Sequence, residues 1–436
     1  MLKQHSIQEI INRCEKEGSF ETEIYGWVWR ERGSSQIKFV ILRDNSNVIQ
    51  CVIEQKEVGK DKFAIADKIQ VETSMKVVGT IRKEPRAPSG YEVSAKDFEV
   101  IGKSNDFPIA KDFSTEFLLD NRHLWIRSRK MTAILKIRST IFGAIHEYFR
   151  NNGFFEHQSP CFTTNAAEGG ATLFKVDYFG KPMFLTQTWQ LYAEAVIYGL
   201  EKIYCIAPSF RAEKSKTSRH LTEYWHAEME IAWCGFDDIL YHGEQLIKHI
   251  FKKVLEENQG ELALLKRDVS KLKSVAEKPF IRMTYDDALK ILKEKCNMDV
   301  EWGKDLRTIE EDELTKSYDV PLIVTNYPKK VKAFYMKESP ENPDTVLGVD
   351  FLAPEGYGEV IGGSQREEDQ SKIEERLREQ GENPELYGWY MDLRKYGSIP
   401  HGGFGLGVER IISWVCGLDN IKDAIAFPRT MLRYTP

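Results

Sequence analysis

A chain of 436 residues is long for one domain and suggests roughly two to three units. Hydrophobic residues at 42% and charged residues at 29% exclude the disordered class. With 61 Lys plus Arg against 67 Asp plus Glu, the formal charge of −6 excludes a polycation that coats nucleic acid, so any RNA contact must use a local patch. Seven scattered cysteines, none at CxxC spacing, argue against a disulfide framework or a cysteine zinc site and favour a reducing compartment.

The opening MLKQHSIQEIINRCEKEG is charged throughout and reads as a short amphipathic helix (Ile7, Ile10, Ile11, Cys14) rather than a signal peptide. No apolar run reaches about 18 residues, so a cytoplasmic protein without a membrane partner is expected. From Glu21 to Ile101, five β-rich pieces (IYGWVWRER, IKFVILRD, NVIQCVIE, ETSMKVVGTIRK, YEVSAKDFEVIG) alternate with turn-forming stretches and one helical stretch, Lys60 to Asp67. An OB-type barrel fits this pattern, as does any other small barrel or half-sandwich. Domain one is taken as residues 1–102, with a linker over 103–121.

Residues 122–436 read as an α+β domain with a mainly antiparallel sheet flanked by helices. A long helix over Ile134–Asn151 should stop at Asn152-Gly153. Strand-like runs follow: PMFLTQ, KIYCIAPSF, YWHAEMEIAW, PLIVTNYP, KAFYMK and GVDFLA. Residues 237–310 read as a mostly helical insertion.

Three constellations carry chemistry. Phe210-Arg211-Ala212-Glu213 closes a strand before a basic loop with Lys214, Lys216, Arg219 and His220. Arg and Glu two apart share a strand face, and Arg clamps phosphate or carboxylate bidentately; an ordinary solvated hairpin fits too. His401-Gly-Gly-Phe-Gly-Leu-Gly-Val-Glu-Arg410 allows close backbone approach, with a helix expected from about Leu406. Such a run also suits tight strand-to-helix packing. Asp350 and Glu359, followed by IGGSQR, form a carboxylate pair of the kind that holds Mg²⁺, or are surface acids.

In this order the three resemble motifs of the class II aminoacyl-tRNA synthetases, and the N-terminal barrel narrows the likeness to the aspartate, asparagine and lysine subgroup. Motif 1 corresponds to residues 134–160, the usual homodimer element, motif 2 to 210–233 and motif 3 to 402–418. The resemblance implies that Arg211 holds the α-phosphate of ATP, Glu213 the adenine amine and Tyr224 the adenine face. It implies that Arg219, His220 and Arg410 hold the outer phosphates, that Asp350 and Glu359 carry Mg²⁺, and that Arg211 and Arg410 are catalytic. Glu168 of NAAEG, with Gln190, is implied to receive the α-ammonium of the amino acid.

For the side chain, the resemblance points to Ala193, Glu228, Ser364 and Arg366. Aspartate enzymes have lysine where Ala193 stands. Arg366 and Glu228 then sum to zero charge, which matches a neutral amide. A stray carboxylate at about 4 Å from Glu228 would cost on the order of 4 kcal/mol at an effective dielectric of 20. Ala193 alone is also compatible with drift in the helix. The implied reaction is ATP-dependent attachment of L-asparagine to tRNA(Asn). Aspartate charging, asparagine synthesis and a non-catalytic RNA-binding paralogue are the alternatives.

On the barrel, Phe39, Gln50 and Glu92 are implied anticodon readers, with Arg30, Lys38, Arg43 and Arg82 as phosphate contacts. From pattern alone Phe39 is equally a core residue. His123, His157 and His226 read as structural, Trp27, Trp29 and Trp125 as packing, and Cys161 and Cys205 as core thiols.

Overall fold

The computed structural model describes residues 5–109, 113–167, 172–214 and 219–436, and the chain divides at Leu118 into two compact units.

In the first unit, alternating side chains build β1 (Phe20–Gly33), β2 (Ile37–Arg43), β3 (Val48–Glu54), β4 (Ser74–Lys83) and β5 (Tyr91–Gly102). They close a barrel in the order β1-β2-β3-β5-β4, the OB-type alternative among those the turn spacing allows. Ile24, Val28, Val40, Leu42, Val77 and Val93 fill it. Gly79 is required where β4 crosses β5, because a Cβ there would lie 2.1 Å from the Ser94 carbonyl oxygen. The helix Ile7–Glu17 begins with a capping box between Ser6 and Glu9 and buries Ile7, Ile10, Ile11 and Cys14 in the same core.

The second unit contains β6 (Phe155–Glu156), β7 (Phe162–Thr163), β8 (Lys175–Tyr178), β9 (Lys181–Leu185), β10 (Lys202–Phe210), β11 (Glu223–Ala232), β12 (Ile281–Thr284), β13 (Leu322–Thr325), β14 (Gly348–Ala353), β15 (Gly358–Gln365) and β16 (His401–Gly407). Eight of them form one sheet, β12-β13-β14-β15-β16-β11-β10-β6, and β7-β9-β8 form a small second sheet. Pairing in the large sheet is antiparallel except at its two outer pairs. The helices Arg129–Asn151, Phe236–Glu257 and Val408–Cys416 pack into a core with Met229, Phe351, Ile361 and Phe404.

Three expectations are corrected. The glycine-rich run is a central strand, and its helix starts at Val408 rather than Leu406. Weak strand propensity is outweighed because neighbours fill the space a side chain would need: a Cβ on Gly402 would lie 2.3 Å from Ile239 Cδ1, and one on Gly403 2.1 Å from the Met229 carbonyl oxygen. KAFYMK forms only an isolated bridge, Met336 to Arg366. Its adjacent Phe334 and Tyr335 are both buried, which a half-exposed strand cannot achieve. Finally, the segment 237–310 is mostly helical as expected, but it is part of the core and sheet and not only an insertion between strands. Ile239, Leu246, Ile250 and Phe251 belong to the main core, and Ile281–Thr284 is a strand of the large sheet.

Candidate active site

A cavity of about 790 Å³ in the second unit is lined from β11, β15 and β16 and the segments around them. Its basic end gathers Arg211, Arg219, His220 and Arg410. The hairpin β10–β11 brings Arg211 there, its N–H donating to the Thr222 carbonyl at 3.0 Å. Burial, then the charge of Arg410, then those of Arg211 and Arg219 push the His220 ring below its ordinary range, against Glu213. This links residues that are up to 199 positions apart in sequence (410 minus 211). Arg410 donates to the Glu359 carbonyl. Arg219 forks onto Asp312 at 2.8 and 3.1 Å. Tyr224 is half-buried with its ring edge-on to His226, centroids 4.9 Å apart, whereas Glu213 is exposed.

Opposite lies a crowd of acids. A Cβ on Gly362 would meet Glu359 Oε1 at 2.8 Å and Asp350 Oδ1 at 3.7 Å, so both carboxylates lie over one glycine. Lys332 Nζ donates to Asp350 Oδ2 at 2.7 Å. Burial outweighs that ammonium and, with Glu359, pushes the Asp350 carboxyl up to about 6. Glu311 is pushed up to about 8 by burial, then by Glu359 and Asp350. Lys332 escaped sequence reasoning because KAFYMK reads as a strand; Glu311, in the helix Thr308–Thr315, lies just beyond the 237–310 stretch and carries no local motif.

The third corner corrects the charge count. Arg366 bonds Glu230, not Glu228: Nε to Oε1 at 3.0 Å and Nη2 to Oε2 at 2.9 Å. Glu228 instead accepts from the Trp189 backbone N–H at 2.7 Å and lies 3.1 Å from His226. Both acids share a face of β11, being two residues apart. That spacing was the available signal for Glu230. Ser364 is fully buried and does not line the cavity; its hydroxyl accepts from Arg366 Nη1 at 2.8 Å. Ala193 and Gln190 line the cavity, and Gln190 Nε2 donates to Glu194 at 3.0 Å. Glu194, Glu230 and His401 come close enough for a metal site, yet Arg366 and Arg394 already occupy these carboxylates. Glu168 lies outside the described residues.

On the barrel, the register pairs Arg32 with Phe39, Ile41 with Gln50, Gln50 with Glu92 and Glu92 with Arg82. Opposed residues share a face, so these lie together on the side of the strands away from the barrel core, where Gln50 and Glu92 are themselves buried. Phe39 is half-buried, with the Arg32 guanidinium 5.0 Å from its ring. Glu92 is a support rather than an open reader: one oxygen accepts from Gln50 at 3.0 Å, the other from Arg82 at 2.7 and 3.0 Å. Lys38 and Arg43 are not available to phosphates. Lys38 is buried against Glu31 and the Asp67 carbonyl, and Arg43 is clamped by Glu72 at 2.6 and 2.7 Å.

Residues 114–431 match the family model described as tRNA synthetases class II (D, K and N), and residues 22–101 match that of an OB-fold nucleic acid binding domain. The chain belongs to the class II tRNA synthetases. Among other members, asparagine–tRNA ligase of Thermoplasma acidophilum is 48% identical over 95% of this chain and 96% of that one. The corresponding ligase of Thermococcus kodakarensis is 47% identical over 97% of each. Asparaginyl-tRNA synthetase of Pyrococcus horikoshii, solved with asparaginyl-adenylate, superposes with a TM-score of 0.96 at 45% identity, covering 100% of both chains. The class II catalytic unit and its OB barrel are thus as the motifs imply.

Proposed function

We infer that the protein is an asparagine–tRNA ligase. It activates L-asparagine with ATP, giving asparaginyl-adenylate and pyrophosphate, and then passes asparagine to the 3′ end of tRNA(Asn). The observation that carries this reading is full-length likeness to ligases of that activity, including one solved with asparaginyl-adenylate. The alternatives are not favoured. Two solved structures named for aspartyl-tRNA synthetases share 22% and 23% identity and speak for the fold alone. An asparagine-synthesising relative would lack the barrel present here. A non-catalytic paralogue would have no reason to keep Arg211, Glu213, Glu359 and Arg410.

In the first step an asparagine carboxylate oxygen bonds to the α-phosphorus and the bond to the pyrophosphate oxygen breaks. The attacking carboxylate is already ionised, so no general base is needed, and stabilising the developing negative charge is the main task. Arg211 is proposed for the α-phosphate, Arg219, His220 and Arg410 for the outer phosphates, and Glu213 and Tyr224 for adenine. Asp350 and Glu359 are proposed to hold Mg²⁺, since two carboxylates over one glycine suit a hard oxygen-seeking cation. When bound, that cation neutralises phosphate charge. Lys332 already takes one Asp350 oxygen, which leaves Glu359 the more open of the pair.

Glu168 and Gln190 are proposed for the α-ammonium, and Arg366 and Glu228 for the amide, with Ser364 holding Arg366. Phe39 and Gln50 would read the anticodon, Glu92 fixing Gln50 in place. A homodimer through motif 1 is proposed as well; Phe155, 57% exposed on the edge strand β6, supports it. No helix among the described residues is long and apolar enough to cross a membrane. All seven cysteines are free, which agrees with a cytoplasmic location.

Charging of a tRNA(Asn) transcript with labelled asparagine tests the reading. ATP-dependent accumulation of asparaginyl-tRNA is expected; transfer of aspartate alone would overturn it.

A further inference from the structure

Behind the proposed amino-acid pocket lies a second carboxylate with a defined task. Glu194, in the helix Gln190–Leu200, is fully buried. Its Oε2 accepts from Arg394 Nη2 at 2.6 Å and the Tyr390 hydroxyl at 2.7 Å, and lies 3.0 Å from His401 Nε2. Its Oε1 accepts from Gln190 at 3.0 Å and lies 4.0 Å from Arg366 Nε. One oxygen is therefore locked by the protein interior, while the other is aimed at the two residues proposed to grip opposite ends of the amino acid.

The charge matters as much as the bonds. Arg366 stands between two acids, bonded to Glu230 and facing Glu194 across 4.0 Å. A guanidinium cancelled in this way still donates hydrogen bonds to a carbonyl but has no surplus charge for a further carboxylate. Arg394 balances Glu194 from the far side, its Nε committed to the Glu367 carbonyl at 3.1 Å.

We propose that Glu194 is a positioning and specificity-determining residue, which orients Gln190 and keeps Arg366 from accepting an acidic side chain. It touches no substrate and acts through those two residues. The proposal rests on asparagine being the amino acid used.

E194Q preserves the shape and removes the charge. In amino-acid-dependent ATP–pyrophosphate exchange, the ratio of kcat/KM for asparagine to that for aspartate should fall about tenfold or more, with aspartate use rising in absolute terms. An unchanged ratio overturns the proposal, whatever happens to stability. If E194Q does not fold, the charge-balanced E194Q/R394Q variant carries the same expectation. Y390F removes one bond but keeps the charge, so its ratio should equal the parent's; a fall as large as that of E194Q also overturns the proposal. A parent that prefers aspartate defeats the substrate reading instead.

Discussion

Arg366 and Glu230 form a bidentate pair with side chains only 4% and 2% exposed. The contact joins the residue after β15 to the C-terminal part of β11, and Gly403 of the intervening β16 makes room for it: a Cβ there would lie 2.4 Å from Glu230 Oε2. The glycine run therefore serves the pocket as well as the backbone. With Arg366 cancelled, Glu228 is the acid of this strand face left in the cavity lining, and on the proposed reading it disfavours a carboxylate and suits an amide that donates.

Removing one partner of a buried pair leaves the other uncompensated. E230Q should lower unfolding stability by about 3–5 kcal/mol, read from urea titrations. A loss under about 1 kcal/mol would mean that water reaches Arg366.

Arg410 links the basic end of the cavity to β15 through the Glu359 carbonyl. R410A is expected to reduce asparagine-dependent pyrophosphate exchange by about 10³-fold or more while tRNA affinity stays at the parental value. Exchange at the parental rate would remove Arg410 from phosphate binding.

Phe39, with the Arg32 guanidinium against its ring, is the residue proposed to stack a splayed base. F39A should weaken tRNA(Asn) binding by roughly tenfold, the scale of one lost stacking contact, without altering asparagine activation. A defect confined to activation would refute the anticodon role.

The Tyr148 hydroxyl meets His242 Nδ1 at 2.9 Å inside the second unit. Burial, with Lys202 adding, holds this ring below its ordinary range. The folded state thus binds fewer protons than the unfolded one. Its contribution to stability is full above the unfolded value of about 6.5 and is lost as pH falls below it. H242Q should therefore show a shallower fall in Tm between pH 7 and pH 5 than the parent. An equal slope would show that the ring does not titrate on unfolding.

Much of the fold was legible because its signals are local. Alternation and turn residues marked the five barrel strands, and FRAE, GGSQR and GGFGLGVER marked the cavity walls. What escaped was set by tertiary contact. Propensity opposes a strand at His401–Gly407, and only neighbours such as Ile239 and the Met229 carbonyl explain it. Periodicity favoured a strand at KAFYMK, where Phe334 packs on Tyr387 and Tyr390 instead. Glu230 was missing from the pocket charges because two acids on one face of β11 look equivalent in sequence, and the bidentate bond to Arg366 is visible only once β16 and the end of β15 are laid beside them.

The central claim is that an amide-selective pocket arises from a cancelled guanidinium beside Glu228. Its most direct test is the specificity constant for asparagine against aspartate in ATP–pyrophosphate exchange by the unmodified protein. A preference for asparagine of at least about 100-fold is predicted; equal or better use of aspartate would contradict it.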